Sequence, residues 1–291
     1  MIAAPRRPFT VPIPGRAPLV LGPRTLVMGV INVTPDSFSD GGKALDPRQA
    51  LDIALAMEAA GADILDLGGE STRPGATPVG SEDELARIRP VLKAMAGRVT
   101  LPISIDTYKA PVAAVALDEG ASIVNDISAF EYDPELGRLV ASRGVPAVLM
   151  HTRGRPEDMY AHADYNDVVA EVIEDLRRCV IRAEEFGVSR RQLIVDPGLG
   201  FAKRAPQSMT MLAGLERLAG LDLPILVGPS RKSFLAAATG PLAAGERDWA
   251  TAAAVTAAIF SGAHIVRVHA VDKLIHAARV ADSLRLAAAQ P

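Results

Sequence analysis

The chain has 291 residues, of which 49% are hydrophobic and 22% are charged, a composition typical of a globular protein with a sizeable core. Its formal net charge of −3 provides no basic excess, so the overall electrostatic field does not favour nucleic acid or an anionic membrane surface as a partner. The single cysteine, Cys179, excludes an intrachain disulfide and a cysteine metal cluster and fits a reducing compartment.

The first 25 residues alternate short β-prone stretches with proline and glycine, which predicts a flanking β-hairpin. Prolines at positions 8, 12, 14 and 18 interrupt this segment, so we expect no secretory signal peptide. No run of the sequence approaches the roughly 18–20 apolar residues of a membrane span. We therefore expect a cytoplasmic protein that uses neither a membrane anchor nor a nucleic-acid partner.

From residue 26 onward one pattern repeats: an apolar, β-branched run, a polar residue or glycine, and then a helical stretch. The apolar runs predict eight strands, at 26–31, 63–67, 102–105, 122–124, 145–149, 192–195, 224–227 and 264–268. Helices are predicted at 47–60, 82–95, 110–119, 134–142, 168–186, 206–218 and 271–289, and the alanine-rich stretch 249–260 is also helical in pattern. Three helix starts carry cap signals: Asp46 before Pro47, Ser81 with Glu84, and Asp133 before Pro134.

This alternation predicts an α/β protein with the (β/α)8 TIM barrel fold over residues 26–291, preceded by an N-terminal β-hairpin or flanking segment at 1–25. An open doubly wound sheet fits less well, because it usually has fewer strands and a glycine-rich dinucleotide-binding turn after its first strand. The sequence has no such turn after residue 31.

Several predicted strands end in a carboxylate or an amide. Because the carboxyl ends of parallel barrel strands meet at one mouth, we expect these side chains to lie together. Acceptors around a protected pocket suit a neutral heterocycle with amino and ring N–H donors, of the guanine or pterin type. Apolar side chains would cover its faces, although the same side chains are also typical of a core. The acceptors are Asp66, Asp106, Asn125 and Asp196, and the candidate walls are Met150 and Phe201.

A second group of polar residues predicts an anion site at the same mouth. Arg267 and His269 alternate at the end of the last strand, and Lys232 and Ser233 follow the strand before it. Thr72 and Arg73 lie in a glycine-rich loop, where they suit an anion or are simply solvated. Asn32 ends the first barrel strand and, although an isolated Asn there is also typical of a turn, its hard amide oxygen suits a Mg²⁺ ion that binds phosphate oxygens.

Taken together, these motifs resemble the dihydropteroate synthase family over about residues 28–271. The resemblance rests on the Asn32 loop and on the segments 66–75, 104–107, 125–128, 196–203, 230–233 and 267–269. It implies a transferase of folate biosynthesis that condenses 6-hydroxymethyl-7,8-dihydropterin diphosphate with 4-aminobenzoate to give 7,8-dihydropteroate and diphosphate. It also implies a Mg²⁺ cofactor, a homodimer and competition by sulfonamides for the aminobenzoate site.

The resemblance also implies residue roles. It implies catalytic roles for Asp106, Asp196, Lys232, Arg267 and His269. Pterin binding is implied for Asp106, Asn125, Asp196 and Lys232, with Met150 and Phe201 near the rings. The diphosphate and metal positions match Asn32, Arg267 and His269, and the aminobenzoate and closing-loop positions match Thr72, Arg73 and Ser233. Asp66 matches an acid that organises these loops, and the loops 34–42 and 71–75 are expected to close over the mouth.

One position departs from the pattern of many relatives, in which an aspartate follows Arg-Val-His. Here Ala270 follows His269, so an acid that could orient the imidazole ring is absent. Two alternatives therefore stay open. One is another pterin-binding barrel enzyme, such as a methyltetrahydrofolate:corrinoid methyltransferase, and the other is a catalytically weak or silent paralogue that serves as a scaffold.

Overall fold

The computed structural model describes residues 3–34 and 46–288, and in them eight parallel strands form one sheet that curves until its two edge strands meet. The strand order in this sheet is β8-β7-β6-β5-β4-β3-β10-β9, and a parallel bridge between Val195 and Ile225 brings β8 beside β9. A separate antiparallel pair, β1 and β2, precedes the sheet. The predicted TIM barrel with its N-terminal hairpin is therefore confirmed. The strands are β1 (Phe9–Val11), β2 (Leu19–Leu21), β3 (Leu26–Asn32), β4 (Ile64–Gly68), β5 (Ile103–Asp106), β6 (Ile123–Asp126), β7 (Ala147–Met150), β8 (Leu193–Asp196), β9 (Leu226–Val227) and β10 (Ile265–Val268).

Helices cover the outside of the sheet, and their apolar faces form the larger core against it. They are α1 (Pro47–Ala60), α2 (Ser81–Met95), α3 (Ala110–Asp118), α4 (Pro134–Arg143), α5 (Val168–Glu185), α6 (Ala205–Ala213), α7 (Ala236–Thr239), α8 (Asp248–Phe260) and α9 (Val271–Ala288). Short 3-10 helices occur at Met159–His162, Arg190–Gln192, Leu215–Leu221, Ser233–Leu235 and Ala244–Arg247. None of the helices in the described part of the chain combines the length and hydropathy that a membrane span requires.

Two local predictions differ from the structure. The helix predicted at 206–218 breaks at Gly214, where a side chain would collide with α5: a Cβ there would lie 2.9 Å from Val169. The cap predicted from Ser81 and Glu84 is wrong, because Gly80 is the N-cap of α2 and provides no side-chain hydrogen bond. Glu84 instead accepts a hydrogen bond from Lys109 at 2.5 Å. The other two caps are present, since the Asp46 and Asp133 side chains accept from backbone N–H groups of the first turn.

Successive side chains of a strand point to opposite faces, so every second residue points into the barrel. The inward side chains form two layers. The lower layer is apolar and packs against the hairpin residues Val11, Ile13, Leu19 and Leu21, which close the amino-terminal end of the barrel. Two residues further along four of the eight barrel strands, β4, β6, β8 and β10, the inward side chain is polar. The lower layer consists of Leu26, Met28, Ile64, Ile123, Val148, Ile194, Leu226 and Ile265.

Candidate active site

Arg267 on β10 lies at the centre of the polar layer and binds acids on two other strands. Its Nε donates to Asp66 Oδ2 at 2.6 Å, and one terminal nitrogen donates to Asp106 Oδ2 at 2.7 Å. The amide of Asn125 also donates to Asp66 Oδ2, at 3.1 Å. The structure thus brings together β10, β4, β5 and β6 through side chains that the sequence could only place at separate strand ends.

Burial controls the protonation of this cluster. It raises the pKa of Asp106 to about 7, although the positive charge of Arg267 acts in the opposite direction. Burial also acts to lower the pKa of Arg267, but the charges of Asp66 and Asp106 outweigh it and raise that pKa. The guanidinium therefore stays charged, while Asp106 can exist in either form near neutral pH.

Asp196 and Lys232 face the same mouth from β8 and the loop after β9. Asp196 Oδ1 accepts from the backbone N–H of Gly198 at 2.7 Å. Lys232 Nζ donates to the carbonyl of Leu199 at 2.5 Å and lies 4.0 Å from the centroid of the Phe201 ring. Burial lowers the pKa of Lys232 to about 7, opposed by the charge of Asp196, whose own pKa burial raises.

An apolar wall stands beside these groups. Met150 and Phe201 pack with Tyr108, Ile127 and Tyr132 in one small cluster. The rings of Tyr108 and Tyr132 meet edge to face at 5.3 Å. The guanidinium of Arg155 lies 4.3 Å from the centroid of the Tyr132 ring, which makes this face of the wall both aromatic and cationic. The two tyrosines and Arg155 were not predicted, because they lie in loops without a strand-end signal.

His269 is oriented by a serine. Its backbone N–H donates to Ser230 Oγ at 3.2 Å, and its Nδ1 lies 3.0 Å from the same oxygen. The hydroxyl of Ser230 can therefore donate to Nδ1, which leaves the Nε2–H free to act as a donor. Burial, and next the charge of Arg267, lowers the pKa of His269 to about 3, so the ring is neutral. Ser230 thus fixes the orientation of the ring without an acid at position 270.

The remaining predicted residues lie at the rim. Asn32 pairs with Gly68 in the sheet, and a Cβ built on Gly68 would lie 3.5 Å both from Asn32 Oδ1 and from Asp106 Cβ. Asn32 and Asp106 therefore flank Gly68 from the two neighbouring strands. Arg73 and Ser233 are exposed and Thr72 is half-buried. Arg73 is near enough for its charge to lower the pKa of His269.

The structure can also be compared with the predicted roles of the rim residues, the closing loop and the metal. Within residues 3–34 and 46–288, no hydrogen bond joins the side chains of Thr72, Arg73 or Ser233 to the buried cluster. Of the predicted closing loop at 34–42, residues 35–42 lie outside the described part. Among the described residues there is no group of three or more His, Cys, Asp or Glu side chains that could hold a metal ion.

A chain of hydrogen-bonded side chains beneath this site, formed by the buried Lys203 and His151 and the half-buried Asp175, was not predicted from the sequence. A signal was present for two of its members. His151 directly follows β7, whose end is marked in the sequence by the apolar Met150, and Lys203 ends the segment 196–203.

The barrel that carries these polar groups is shared with a class of known proteins, the pterin-binding enzymes. The model of the family described as pterin binding enzyme matches residues 28–269, a range that runs from β3 to β10 and so spans the barrel. The dihydropteroate synthase of Synechocystis sp. is 44% identical over 95% of this chain and 96% of that protein, and the one from Bacillus subtilis is 43% identical over 90% and 89%. The chain belongs to the dihydropteroate synthase family.

Solved structures of the same family superimpose closely. The Xanthomonas albilineans dihydropteroate synthase with 4-aminobenzoic acid has a TM-score of 0.88 at 40% identity and covers 99% of this chain and 100% of that one. The Yersinia pestis enzyme with a sulfonamide drug has a TM-score of 0.89 at 36% identity, covering 96% and 100%.

Proposed function

We propose that the chain is a dihydropteroate synthase, a transferase that joins 6-hydroxymethyl-7,8-dihydropterin diphosphate to 4-aminobenzoate and releases diphosphate. The observation that carries this proposal is the single polar mouth in which Arg267 bridges Asp66 and Asp106 while Asp196 and Lys232 face it. Relatives that align over nearly the whole chain have this name, and one relative was solved with 7,8-dihydropteroate.

The pterin is expected to bind across the barrel mouth. Its amino and ring N–H groups need acceptors, which Asp106, Asn125 and Asp196 provide, and Lys232 can donate to its carbonyl oxygen. The flat faces of the ring need apolar contacts, which Met150 and Phe201 offer. Asp66 is fully buried and serves to hold Arg267 and Asn125 in place.

The diphosphate is expected at the cationic side of the mouth. Arg267 and the Nε2–H of His269 can donate to its oxygens, and Arg73 adds positive charge nearby. A Mg²⁺ ion is expected on this side, because it needs few protein oxygens when a diphosphate and water supply the others, and Asn32 Oδ1 at the end of β3 is such an oxygen. When bound, the ion would neutralise charge on the departing diphosphate.

Bond breaking then precedes bond making. The C–O bond to the diphosphate breaks, its electron pair leaves with the diphosphate, and the positive charge delocalises into the electron-rich pterin, where Asp106 and Asp196 stabilise it. The aromatic amine uses its lone pair to form the C–N bond and then loses a proton. Because this amine is a free base at neutral pH, no strong general base is required. Thr72, Arg73 and Ser233, which the family resemblance assigns to the aminobenzoate, are expected to orient it.

We also propose a homodimer formed through α8 and α9. Four of the seven large apolar side chains that are exposed in the described residues belong to these two helices: Trp249, which is 88% exposed, and Val280, Leu284 and Leu286. Val280 and Leu284 are four residues apart and share one helix face. Trp249→Glu should shift the protein toward the monomer in analytical ultracentrifugation, whereas a wild-type protein that already sediments as a monomer would contradict the dimer.

One assay tests the activity and separates it from its alternatives. The purified protein is incubated with the pterin diphosphate, Mg²⁺ and labelled 4-aminobenzoate, and labelled dihydropteroate and free diphosphate are measured. We expect both products in equal amounts. Pterin binding without diphosphate release would indicate a scaffold, and binding of a methylated folate without product would favour a methyltransferase. The cytoplasmic location stays a prediction from sequence.

A further inference from the structure

Lys203 is a fully buried lysine, with a relative exposure of 1%, and it lies outside the groups used so far. Its Nζ has three partners: His151 Nδ1 at 2.7 Å, the carbonyl of Phe201 at 3.0 Å and the carbonyl of Gly198 at 3.2 Å. Lysine is almost never fully buried unless it is paired, and burial lowers the pKa of Lys203 well below its ordinary value. The three hydrogen bonds of Nζ fix its position, and two of them join it to carbonyl groups of one loop.

His151 connects this lysine to a carboxylate. Its Nε2 lies 3.0 Å from Asp175 Oδ2, which also accepts from Arg153 at 2.9 Å. An ionised carboxylate can only accept, so Nε2 carries the proton and Nδ1 is left to accept from Lys203. Burial, followed by the charge of Lys203, lowers the pKa of His151 to about 3, which keeps the ring neutral. Burial acts to raise the pKa of Asp175, but the hydrogen bonds from His151 and Arg153 lower it to about 2.

The loop that Lys203 holds has an unfavourable local conformation. Gly198 has a φ of +65°, and any Cβ there would collide with the carbonyl oxygen of His151. Ala202 has a φ of +46°, a left-handed conformation that is uncommon for a residue other than glycine. Such a backbone persists only where its surroundings fix it. The contacts of Lys203 with the carbonyls of Gly198 and Phe201 are of this kind.

The same loop forms one side of the candidate pterin pocket. It begins at Asp196, whose side chain accepts from the N–H of Gly198. Its Leu199 carbonyl receives Lys232, and its Phe201 ring lies under the Lys232 ammonium. A shift of the loop would therefore move an acceptor, a donor and an apolar wall of the pocket together.

We propose that Lys203 is a positioning residue, which acts with His151 and Asp175 to hold the loop 197–203 in the conformation that presents Asp196, Phe201 and Lys232 to the pterin. This inference rests on the proposed function, because it names the part of the pocket that binds the pterin ring. Lys203 itself does not contact the ligand, since its Nζ is already bonded to three groups within the protein.

Lys203→Met tests this role, because methionine is an unbranched side chain only one atom shorter than lysine and removes all three hydrogen bonds. We expect the Kd of the pterin diphosphate, measured by calorimetry, to rise about tenfold or more. The Michaelis constant for the aminobenzoate substrate should change much less, because the loop does not form its side of the site. Asp175→Asn weakens only the far end of the chain, so its effect on the pterin Kd should have the same direction and a smaller size.

Arg6→Met is a matched control, because it removes another buried cation at the opposite end of the barrel. Arg6 donates to Thr25, Asp282 and two backbone carbonyls, so its loss also destabilises the fold. We expect a lower melting temperature with a pterin Kd within twofold of wild type. Should Lys203→Met and Asp175→Asn behave in the same way as Arg6→Met, the positioning role is wrong. A wild-type protein that binds no pterin would instead refute the proposed function.

The tautomer of His151 gives a readout independent of any ligand. In ¹⁵N-labelled wild-type protein, we expect the His151 ring to be protonated at Nε2 and not to titrate between pH 5 and 8. In Lys203→Met the Nδ1 atom of His151 loses the hydrogen bond that it accepts, so its ¹⁵N resonance should shift while Nε2 stays protonated. A wild-type ring protonated at Nδ1 would contradict the arrangement. This spectrum also shows whether Lys203→Met is folded, and Asp175→Asn provides the binding test if it is not.

Discussion

The two layers inside the barrel use the same strands for opposite purposes. On β4, β6, β8 and β10 an isoleucine of the lower layer precedes a polar residue of the upper layer by two positions; the pairs are Ile64 and Asp66, Ile123 and Asn125, Ile194 and Asp196, and Ile265 and Arg267. The lower layer is closed by the hairpin, whereas the upper layer faces the mouth. On each of these strands, the residue that packs in the apolar layer and the residue that lines the candidate site are therefore only two positions apart.

The two layers contribute differently to the free energy of folding. Apolar burial in the lower layer stabilises the fold directly. Burying the charges of the upper layer is unfavourable, and the cross-strand pairs of Arg267 with Asp66 and Asp106 offset this only in part. The raised pKa of Asp106 and the lowered pKa of Lys232, both near 7, show that part of the cost remains. The upper layer should therefore respond to substitution through both stability and binding, and the lower layer through stability alone.

The largest effect is expected from Arg267→Met. This variant leaves Asp66 and Asp106 buried without their cation, so the free energy of unfolding at pH 8 should fall by about 3–5 kcal/mol. Synthase activity should become undetectable, because the diphosphate side also loses its donor. Urea denaturation and the labelled-aminobenzoate assay measure the two effects.

Ile265→Val, on the same strand one layer below, is the control for Arg267→Met. It should lower the free energy of unfolding by only about 1 kcal/mol and leave the activity of the folded protein unchanged. If Arg267→Met were as stable as wild type at pH 8, the guanidinium would not be balancing two buried carboxylates, and the comparison of the layers would fail.

A smaller, pH-dependent effect is expected from Asp106→Asn. Because the pKa of Asp106 is raised to about 7, the folded state binds this proton more tightly than the unfolded chain, and the folded state loses stability as the pH rises from about 4 to 7. Asparagine does not titrate, so the folded state of the variant does not lose stability in this way. The free energy of unfolding of the variant minus that of wild type should therefore increase between pH 5 and pH 8, by an amount on the order of 2 kcal/mol.

Denaturation curves at the two pH values test this sign. A difference that stays constant with pH would mean that Asp106 is already ionised throughout the range. Arg267 would then offset its burial completely.

The sequence predicted the barrel because its signals are local. Each strand has its own apolar run and each strand end its own polar residue, so the set that includes Asp66, Asp106 and Arg267 could be placed at one mouth. Which cation pairs with which acid depends on the register of the closed sheet, and Arg267 is 201 and 161 residues from its two partners. The contact of Lys203 with His151 has the same character.

Local details failed where tertiary packing prevails over propensity. Gly214 separates α6 from a 3-10 helix at a point where α5 leaves no room for a side chain, and Glu84 binds Lys109 instead of capping α2. Neither neighbour can be read from the residues next to the break or the cap.

The central claim is tested most directly by calorimetric titration of the pterin diphosphate, with Mg²⁺ present, into wild type, Asp196→Asn and Ile194→Val. These two substitutions lie two residues apart on β8, one in each layer. The account predicts that Asp196→Asn weakens binding by about 100-fold or more, because a buried acceptor of ligand N–H groups is lost, while Ile194→Val stays within about twofold of wild type. Equal affinity of Asp196→Asn and Ile194→Val would contradict it.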